Sequence, residues 1–383
     1  MAEKYENRVI NYVEICYKKP YNGDSNKPER EMKEIFIMKK IRLAIVGTGS
    51  IAFTHMYGIQ RLDEAELVAI MDIHTEQMDT FRKTFPMKDE DCYTDLDALL
   101  AREDVDAVIV CASDKAHCDI AVRAMKAGKD VLCEKPMALD LDECREMIRV
   151  SEETGRRFMI GQVCRKAPGF VKAKELVDQG VIGEIFFVES EYAHDYLEFP
   201  GIDGWRQVPE RHPIIGGGCH AVDLLRWIAG DPTEAFAFAN HKMLPGWPIN
   251  DCVVSVLKFP NDVIGKVMTS IGCKRSYTMR TCIYGSEGTI ITDNTSDTIS
   301  LFRNKVGGEL ESFGIPNQTM ELKIPVAIAS HNMTEEIRDF INCIKNDLAP
   351  DPDGRQGFST VAVCDAIVRS AATGEKIKID YTV

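Results

Sequence analysis

Along the first part of the chain, short apolar runs alternate with longer stretches of helical spacing. Ile41-Arg42-Leu43-Ala44-Ile45-Val46 is the first such run, and Leu67–Met71, Val105–Cys111, Asp130–Cys133 and Arg157–Val163 repeat it. Runs this short and apolar suit strands buried on both faces. Between them, apolar residues recur every three or four positions. Leu141–Thr154 is the clearest of these helical patterns, and Gly155 ends it. Alternating strand and helix predicts a doubly wound parallel sheet, a Rossmann-type α/β domain whose ligand sits at the carboxyl ends of the strands.

The pattern changes after residue 160. A helix is predicted over Phe170–Gln179, followed by Gly180 and Gly183. Ile185–Ala193 alternates as a strand. Further strand-like runs are Ala235–Ala239, Cys252–Phe259, Val263–Ser270, Thr278–Tyr284 and Thr289–Thr292. Asn261-Asp262 reads as a hairpin turn and Gly285–Gly288 as another. Consecutive strands with few helices predict an antiparallel sheet. Helical patterns over Leu224–Ala229, His331–Lys345 and Val361–Ala372 complete an α+β half. The expected organisation is a nucleotide-binding domain over 38–160 and a second domain over 161–383, with residues 1–37 set apart as a flexible extension.

Composition narrows the class. With 383 residues, two domains is the default. Apolar residues at 45% and charged residues at 28% are the mixture of a soluble globular protein. No stretch approaches the roughly 20 apolar residues of a membrane helix, so no membrane partner is expected. A net charge of −14 repels phosphate backbones and excludes general nucleic-acid binding, though not a nucleotide cofactor. The 13 cysteines are odd in number and form no C-x-x-C pair. They read as reduced thiols in a cytoplasmic protein, with no metal site.

Residues 1–37 read differently. Tyr17–Arg30 is polar and turn-rich, and no charged start leads into an apolar core, so this is not a secretory signal. Lys33-Glu34 can be encoded AAG GAG, a purine run like a bacterial ribosome-binding site, three codons before Met38. The expectation is that translation starts at Met38 and that residues 1–37 are mostly a mis-called start. The rival reading is a real, flexible arm.

The first strand runs directly into Gly47-Thr48-Gly49-Ser50-Ile51-Ala52. This is G-x-G-x-x-A, a dinucleotide fingerprint. Gly47 permits the tight turn, Gly49 lets a pyrophosphate approach the backbone, and Ala52 lets the helix lie close to the strand. The helix start at Ser50 and Ile51 offers free N–H groups to phosphate. The second strand ends in Asp72, 23 residues after Gly49. A carboxylate there accepts from ribose hydroxyls and repels a 2′-phosphate, which predicts NAD over NADP.

Glu134-Lys135-Pro136 lies at the carboxyl end of a predicted strand. Together with Gly47–Ala52, Tyr93-Thr94-Asp95-Leu96 and Gly218-Cys219-His220-Ala221-Val222-Asp223, it resembles the glucose–fructose oxidoreductase / inositol dehydrogenase / MocA family over about residues 38–380. The resemblance implies a Rossmann domain plus a C-terminal α+β domain with a large, open, mostly antiparallel sheet. It implies NAD(P)-dependent oxidation or reduction of a hydroxyl or carbonyl on a sugar, cyclitol or relative, and a homodimer or homotetramer formed through that sheet. It assigns Lys135 to the reacting oxygen, His220 to the proton relay, and a cis bond to Lys135–Pro136. It places Glu134, Ser113 and His117 beside the cofactor. The segment usually written T-P-N-x-x-H is here Ala112-Ser113-Asp114-Lys115-Ala116-His117, so the Asn position carries Asp114.

The residues support the same chemistry directly. Oxidising a carbinol requires a cation beside its oxygen and a group to take its proton. A desolvated Lys135 can supply the first, and its pKa can fall to suit. His220, whose ordinary pKa lies near working pH, can supply the second. Arg165 and Pro168 match a family R-x-x-P near the substrate. Between Ala193 and His220 lies a long segment rich in Gly, Pro, aromatics and charge, read as a substrate-covering loop. His194, Trp205 and Arg206 in this segment, with Arg165 and Asp223, are the candidate substrate contacts. One departure stands out: many members carry Asp four residues before the histidine, and here that position is Gly216. Glu191, His194, Asp195 and His212 are the candidates to replace it. The leading function is an NAD-dependent dehydrogenase. The alternatives are a redox-neutral glycosidase or lyase that holds NAD, and a non-enzymatic sugar sensor.

Overall fold

The computed structural model describes residues 40–304 and 319–383. The N-terminal extension and the start at Met38 lie outside the described residues. Strands β1 (Ile41–Val46), β2 (Ala65–Met71), β3 (Cys92–Tyr93), β4 (Ala107–Val110), β5 (Asp130–Glu134) and β6 (Phe158–Gly161) form one sheet in the order 3-2-1-4-5-6. Every pairing in it is parallel. The reversal of strand order between β1 and β4 opens the ligand crevice of a Rossmann sheet. The central strands β4 and β5 are buried along their whole length, as their unbroken apolar runs require.

Helices α1 (Ser50–Ile59), α2 (Thr75–Thr84), α3 (Leu96–Leu100), α4 (His117–Lys126) and α5 (Leu141–Thr154) supply the crossovers. Local chemistry sets the ends of α5. The Asp140 carboxylate accepts from the Asp142 and Glu143 N–H groups, and Gly155 stops the helix at φ +64°. The strand expected over Arg157–Val163 is shorter. It stops at Gly161, and a single 3₁₀ turn over Val163–Lys166 points Cys164 and Arg165 at the second half of the molecule.

Helix α6 (Pro168–Asp178) leads into the second sheet. Its strands are β7 (Ile185–Ala193), β8 (Glu234–Asn240), β9 (Cys252–Lys258), β10 (Ile264–Ser270), β11 (Thr278–Gly285), β12 (Gly288–Asp293), β13 (Thr298–Asn304), β14 (Thr319–Pro325) and β15 (Ile377–Lys378). The order is 14-13-12-11-7-10-9-8-15. Only the β7–β10 pairing is parallel. Asn261 and Asp262 turn the β9–β10 hairpin with positive φ, as their side chains tolerate. Strands β13, β14 and β15 were not anticipated from the pattern.

Helices α7 (Pro213–Gly216), α8 (Cys219–Ala229), α9 (Met333–Asn346) and α10 (Gly354–Thr373) cover one face of this sheet or reach back to the first. Helix α8 packs on β7, β10 and β11. Helix α10 packs on β8 and α8, and also on α5 and β6. Helix α9 packs on α1, where Gly58 admits it: a Cβ at that position would meet Ile337 Cδ1 at 2.9 Å. One buried apolar cluster therefore runs through both sheets. The opposite sheet face leaves Phe186, Phe238, Val254, Val256 and Ile264 exposed. Every cysteine among the described residues is free.

Candidate active site

The cradle for a dinucleotide lies where β1 meets α1. Gly47 has φ +92°, and a Cβ there would meet the Ala112 backbone at 2.5 Å. No larger residue fits. Around Gly49 the space is open, with nothing within 4 Å of the place a Cβ would take. A narrow turn opening onto free space at a helix start fits a pyrophosphate. Asp72 is buried at the end of β2. Its Oδ2 accepts from the Thr48 N–H (2.6 Å) and hydroxyl (2.9 Å), and its Oδ1 accepts from the His74 N–H (2.9 Å). The carboxylate thus fixes the glycine loop. Ser113 is half-buried just before a 3₁₀ turn, and its hydroxyl has no partner among the described residues.

The E-K-P segment lies at the end of β5, and its Lys135–Pro136 bond is cis. Two residues expected beside the cofactor are bonded to protein groups. Glu134 Oε1 pairs with His55 Nε2 of α1 at 2.9 Å, and Oε2 accepts from the Lys135 N–H at 3.2 Å. His117 is buried with Nδ1 2.9 Å from the Pro136 carbonyl and Nε2 3.1 Å from that of Ala112. Both residues position the lysine.

The Lys135 ammonium has no hydrogen-bond or ion-pair partner among the described residues. Burial pulls its pKa down, but Cys219, Glu134, Tyr196 and Asp114 outweigh that pull and hold it above the ordinary value. The expected fall is therefore corrected: surrounding acids win over desolvation, and Lys135 stays a cation.

His220 stands in the first turn of α8 and is buried. Its Nδ1 lies 3.3 Å from Cys164 Sγ, which in turn lies 3.4 Å from Met279 Sδ. The ring stacks on Tyr192, with centroids 6.3 Å apart, and meets His331 edge-on at 5.7 Å. Burial, then Lys135 and His331, push its pKa well below the ordinary histidine value. The expectation of a titration near working pH is corrected: the imidazole is neutral. His331, just before α9, is likewise pushed down, to about 4, chiefly by burial.

Rings gather at the end of β7 and in the loop that follows it. Tyr192 and Tyr196 share a hydroxyl hydrogen bond at 2.8 Å, and His194 packs on Tyr196, Tyr277 and Phe199. The Arg206 guanidinium lies over Trp205 at 4.3 Å and near Tyr196 at 5.9 Å.

The family's missing carboxylate has a physical explanation. A Cβ on Gly216 would clash with the guanidinium of Arg211. That guanidinium donates to Asp114 Oδ2 at 2.5 Å and to the Gly216 carbonyl at 3.2 Å, and it stacks on Trp205 at 4.8 Å. An Arg211–Asp114 pair thus fills the space beside Gly216. The four candidate substitutes each have partners of their own. Glu191 bonds Arg275 and Arg280, and Asp195 bonds Lys274. His212 is buried against Asn250, and His194 belongs to the ring cluster.

Arg165 and Asp223 meet each other. Arg165 Nε and Nη2 donate to the two Asp223 oxygens at 2.7 and 2.8 Å, and the Thr360 hydroxyl adds a bond at 3.0 Å. Both are buried, so this bidentate pair ties α8 to the 3₁₀ turn after β6 and to α10.

The structure also gathers donors whose sequence spacing gave no hint of it. Cys164, His220 and His331 have ligand atoms within 4.8 Å of one another, and so do His55, Glu134 and Glu336. Sequence reasoning missed Cys164, Tyr192, Tyr196, Arg211, Tyr277 and His331. Only the aromatic richness of Tyr192–Phe199 signalled any of them.

A dinucleotide cradle, a free ammonium at the next strand end and a neutral histidine beside it define a nicotinamide-dependent oxidoreductase. The chain belongs to the oxidoreductase family whose NAD-binding Rossmann fold matches residues 41–162 and whose C-terminal alpha/beta domain matches residues 174–379. It is similar to the myo-inositol 2-dehydrogenase of Thermotoga maritima, 25% identical over 351 residues that cover 90% of this chain and 100% of that one. It is 34% identical over 202 residues to the 2,7-anhydro-N-acetylneuraminate hydratase of Mediterraneibacter gnavus, 51% of either chain. In fold it is similar to a levoglucosan dehydrogenase solved with NADH and L-sorbose, with a TM-score of 0.80 at 18% identity over 90% of this chain and all of that one.

Proposed function

We propose that this protein moves hydride between NAD and a hydroxyl-bearing carbon of a sugar, cyclitol or sugar derivative. The observation that carries the reading is the meeting of an unpaired Lys135 ammonium and a neutral His220 beside the cradle. Bound NAD supplies the hydride acceptor. With the Cys164 thiol hydrogen directed at Met279, Cys164 Sγ accepts from His220 Nδ1–H, which leaves Nε2 as the lone-pair nitrogen. His220 Nε2 takes the hydroxyl proton, and Lys135 stabilises the negative charge that develops on the oxygen. Glu134, His117, Arg165 and Asp223 hold the two groups in place. The whole-length likeness to myo-inositol 2-dehydrogenase supports a polyol-type substrate.

An absorbance assay for reduced nicotinamide tests this. The protein is offered NAD or NADP with aldoses, inositols, sugar acids and anhydrosugars. NADH formation with a member of the panel is the expected result. Silence across the panel with NAD bound would move the assignment to redox-neutral chemistry. That second reading is favoured by one observation, the 34% likeness to a hydratase over half the chain.

Asp72→Ala is expected to lower the NAD-over-NADP preference by at least about tenfold in kcat/KM, since a buried carboxylate facing a 2′-phosphate is a strong repulsion. An unchanged ratio would remove Asp72 from cofactor choice. The exposed apolar face of the second sheet supports self-association as a homodimer or homotetramer, and the free cysteines support a cytoplasmic setting.

A further inference from the structure

Most of the charged groups around Lys135 and Arg206 are matched among the described residues. Arg211 pairs with Asp114, Arg165 with Asp223, Glu134 with His55, Asp195 with Lys274 and Glu210 with Lys115. Among the cations, Lys135 and Arg206 are exceptions; the Glu336 carboxylate, buried beside His55 and Glu134, has no hydrogen-bond partner among the described residues either. Lys135 has a task in the reaction. Arg206 has none, and its guanidinium forms no hydrogen bond or ion pair among the described residues. Yet it is not a solvated surface residue: it is partly buried, and the faces of Trp205 and Tyr196 flank it. Burial, the largest influence on it, pulls its pKa below the ordinary value. A chain with a net charge of −14 thus keeps an unmatched, partly desolvated cation here.

The position relates to the reaction. Contacts run from Arg206 to Tyr196, from Tyr196 to Tyr192, and from Tyr192 to His220. His194 feels both Arg206 and Lys135. We propose that Arg206 forms a subsite for the carboxylate of the substrate, so that the preferred substrate is a carboxylate-bearing monosaccharide. The inference deepens the oxidoreductase reading and rests on it for the identity of the cleft. A guanidinium presents parallel N–H donors that match a carboxylate in a fork, and stacking on rings fixes its plane in advance. The same rings give a platform for the C–H face of a sugar. A dianionic phosphate would call for more than this single unmatched fork, because Lys135 is engaged at the reacting oxygen.

The test uses the full chain loaded with NAD(H) and pairs of sugars that differ at the carboxylate. D-glucuronate is set against D-glucose, D-galacturonate against D-galactose, and D-gluconate against D-glucitol. Binding is read by calorimetry and turnover by NADH absorbance. At least one acid is expected to exceed its neutral partner about 10- to 100-fold, the range for a charge-assisted hydrogen-bonded pair. Arg206→Gln should bring that ratio close to one, mainly through Kd or KM, and Arg206→Lys should restore part of it. Should the glutamine variant not fold, the wild-type ratio must still fall as salt rises from about 0.05 M to about 0.5 M. Acid binding without turnover would sink the dehydrogenase reading and leave the subsite standing. Equal affinity for acid and neutral sugar, no acid bound at millimolar concentration, a sugar phosphate preferred over every acid, or a ratio kept in Arg206→Gln would overturn the subsite.

Discussion

Lys135→Ala is expected to lower kcat by about 10²- to 10³-fold, the usual cost of removing one preorganised donor from a developing oxyanion. The loss should fall on kcat more than on KM, because the ammonium meets most of its charge partner only as the hydroxyl proton leaves. The structure sharpens this expectation. Lys135 has no protein partner to release before it acts, and Glu134, His117 and the Pro136 carbonyl fix the backbone that carries it. Since Lys135 is held above its ordinary pKa, the cation persists across neutral pH, and loss of activity from its deprotonation belongs above about pH 10. Steady-state kinetics on the variant decide the matter; full turnover would refute the assignment.

His220→Gln should cost about 10²- to 10⁴-fold, the span of general-base catalysis. Its signature is in the pH profile. Only the neutral imidazole accepts a proton, so activity falls as pH drops through the histidine pKa. Burial, Lys135 and His331 place that pKa well below 6.5, so wild-type kcat should be flat from pH 7 down past 6.5 and fall only at lower pH. In the glutamine variant this acid limb should vanish from the residual rate. A limb centred at 7 or above in the wild type would show that His220 is exposed and cationic during turnover, against the geometry of its contacts with Cys164, Tyr192 and His331.

Much of this was legible in the sequence, for reasons that differ from element to element. The parallel sheet declares itself because β1, β4 and β5 are buried on both faces and the glycine fingerprint follows the first of them. The β9–β10 hairpin is visible because Asn261 and Asp262 accept positive φ. Strand β14 has no such mark: it lies at the sheet edge, and its apolar residues Met320 and Leu322 are exposed. At the site, residue types were readable but partners were not. Glu134 and His117 read as cofactor contacts, and spacing gave no sign that His55 of α1 and the Pro136 carbonyl also bond them. The anomaly at Gly216 was plain in the sequence. Its cause was not, because Arg211 reaches Asp114 from 97 positions away. The direction in which Lys135 and His220 titrate depends on burial and neighbours, and no spacing encodes either.

The arrangement of Gly216, Arg211 and Asp114 bears on how such enzymes diverge. An aspartate installed at 216 would displace a guanidinium that Asp114, the Gly216 carbonyl and Trp205 all hold. It would also strand Asp114 without its counter-ion in a buried setting, a loss of several kcal/mol in comparable pairs. Removing Arg211 first strands the same carboxylate. An aspartate at 216 is therefore accommodated only where positions 114 and 211 change with it. Chimeras that import position 216 from a relative alone should inherit the defect of neither parent but one of their own.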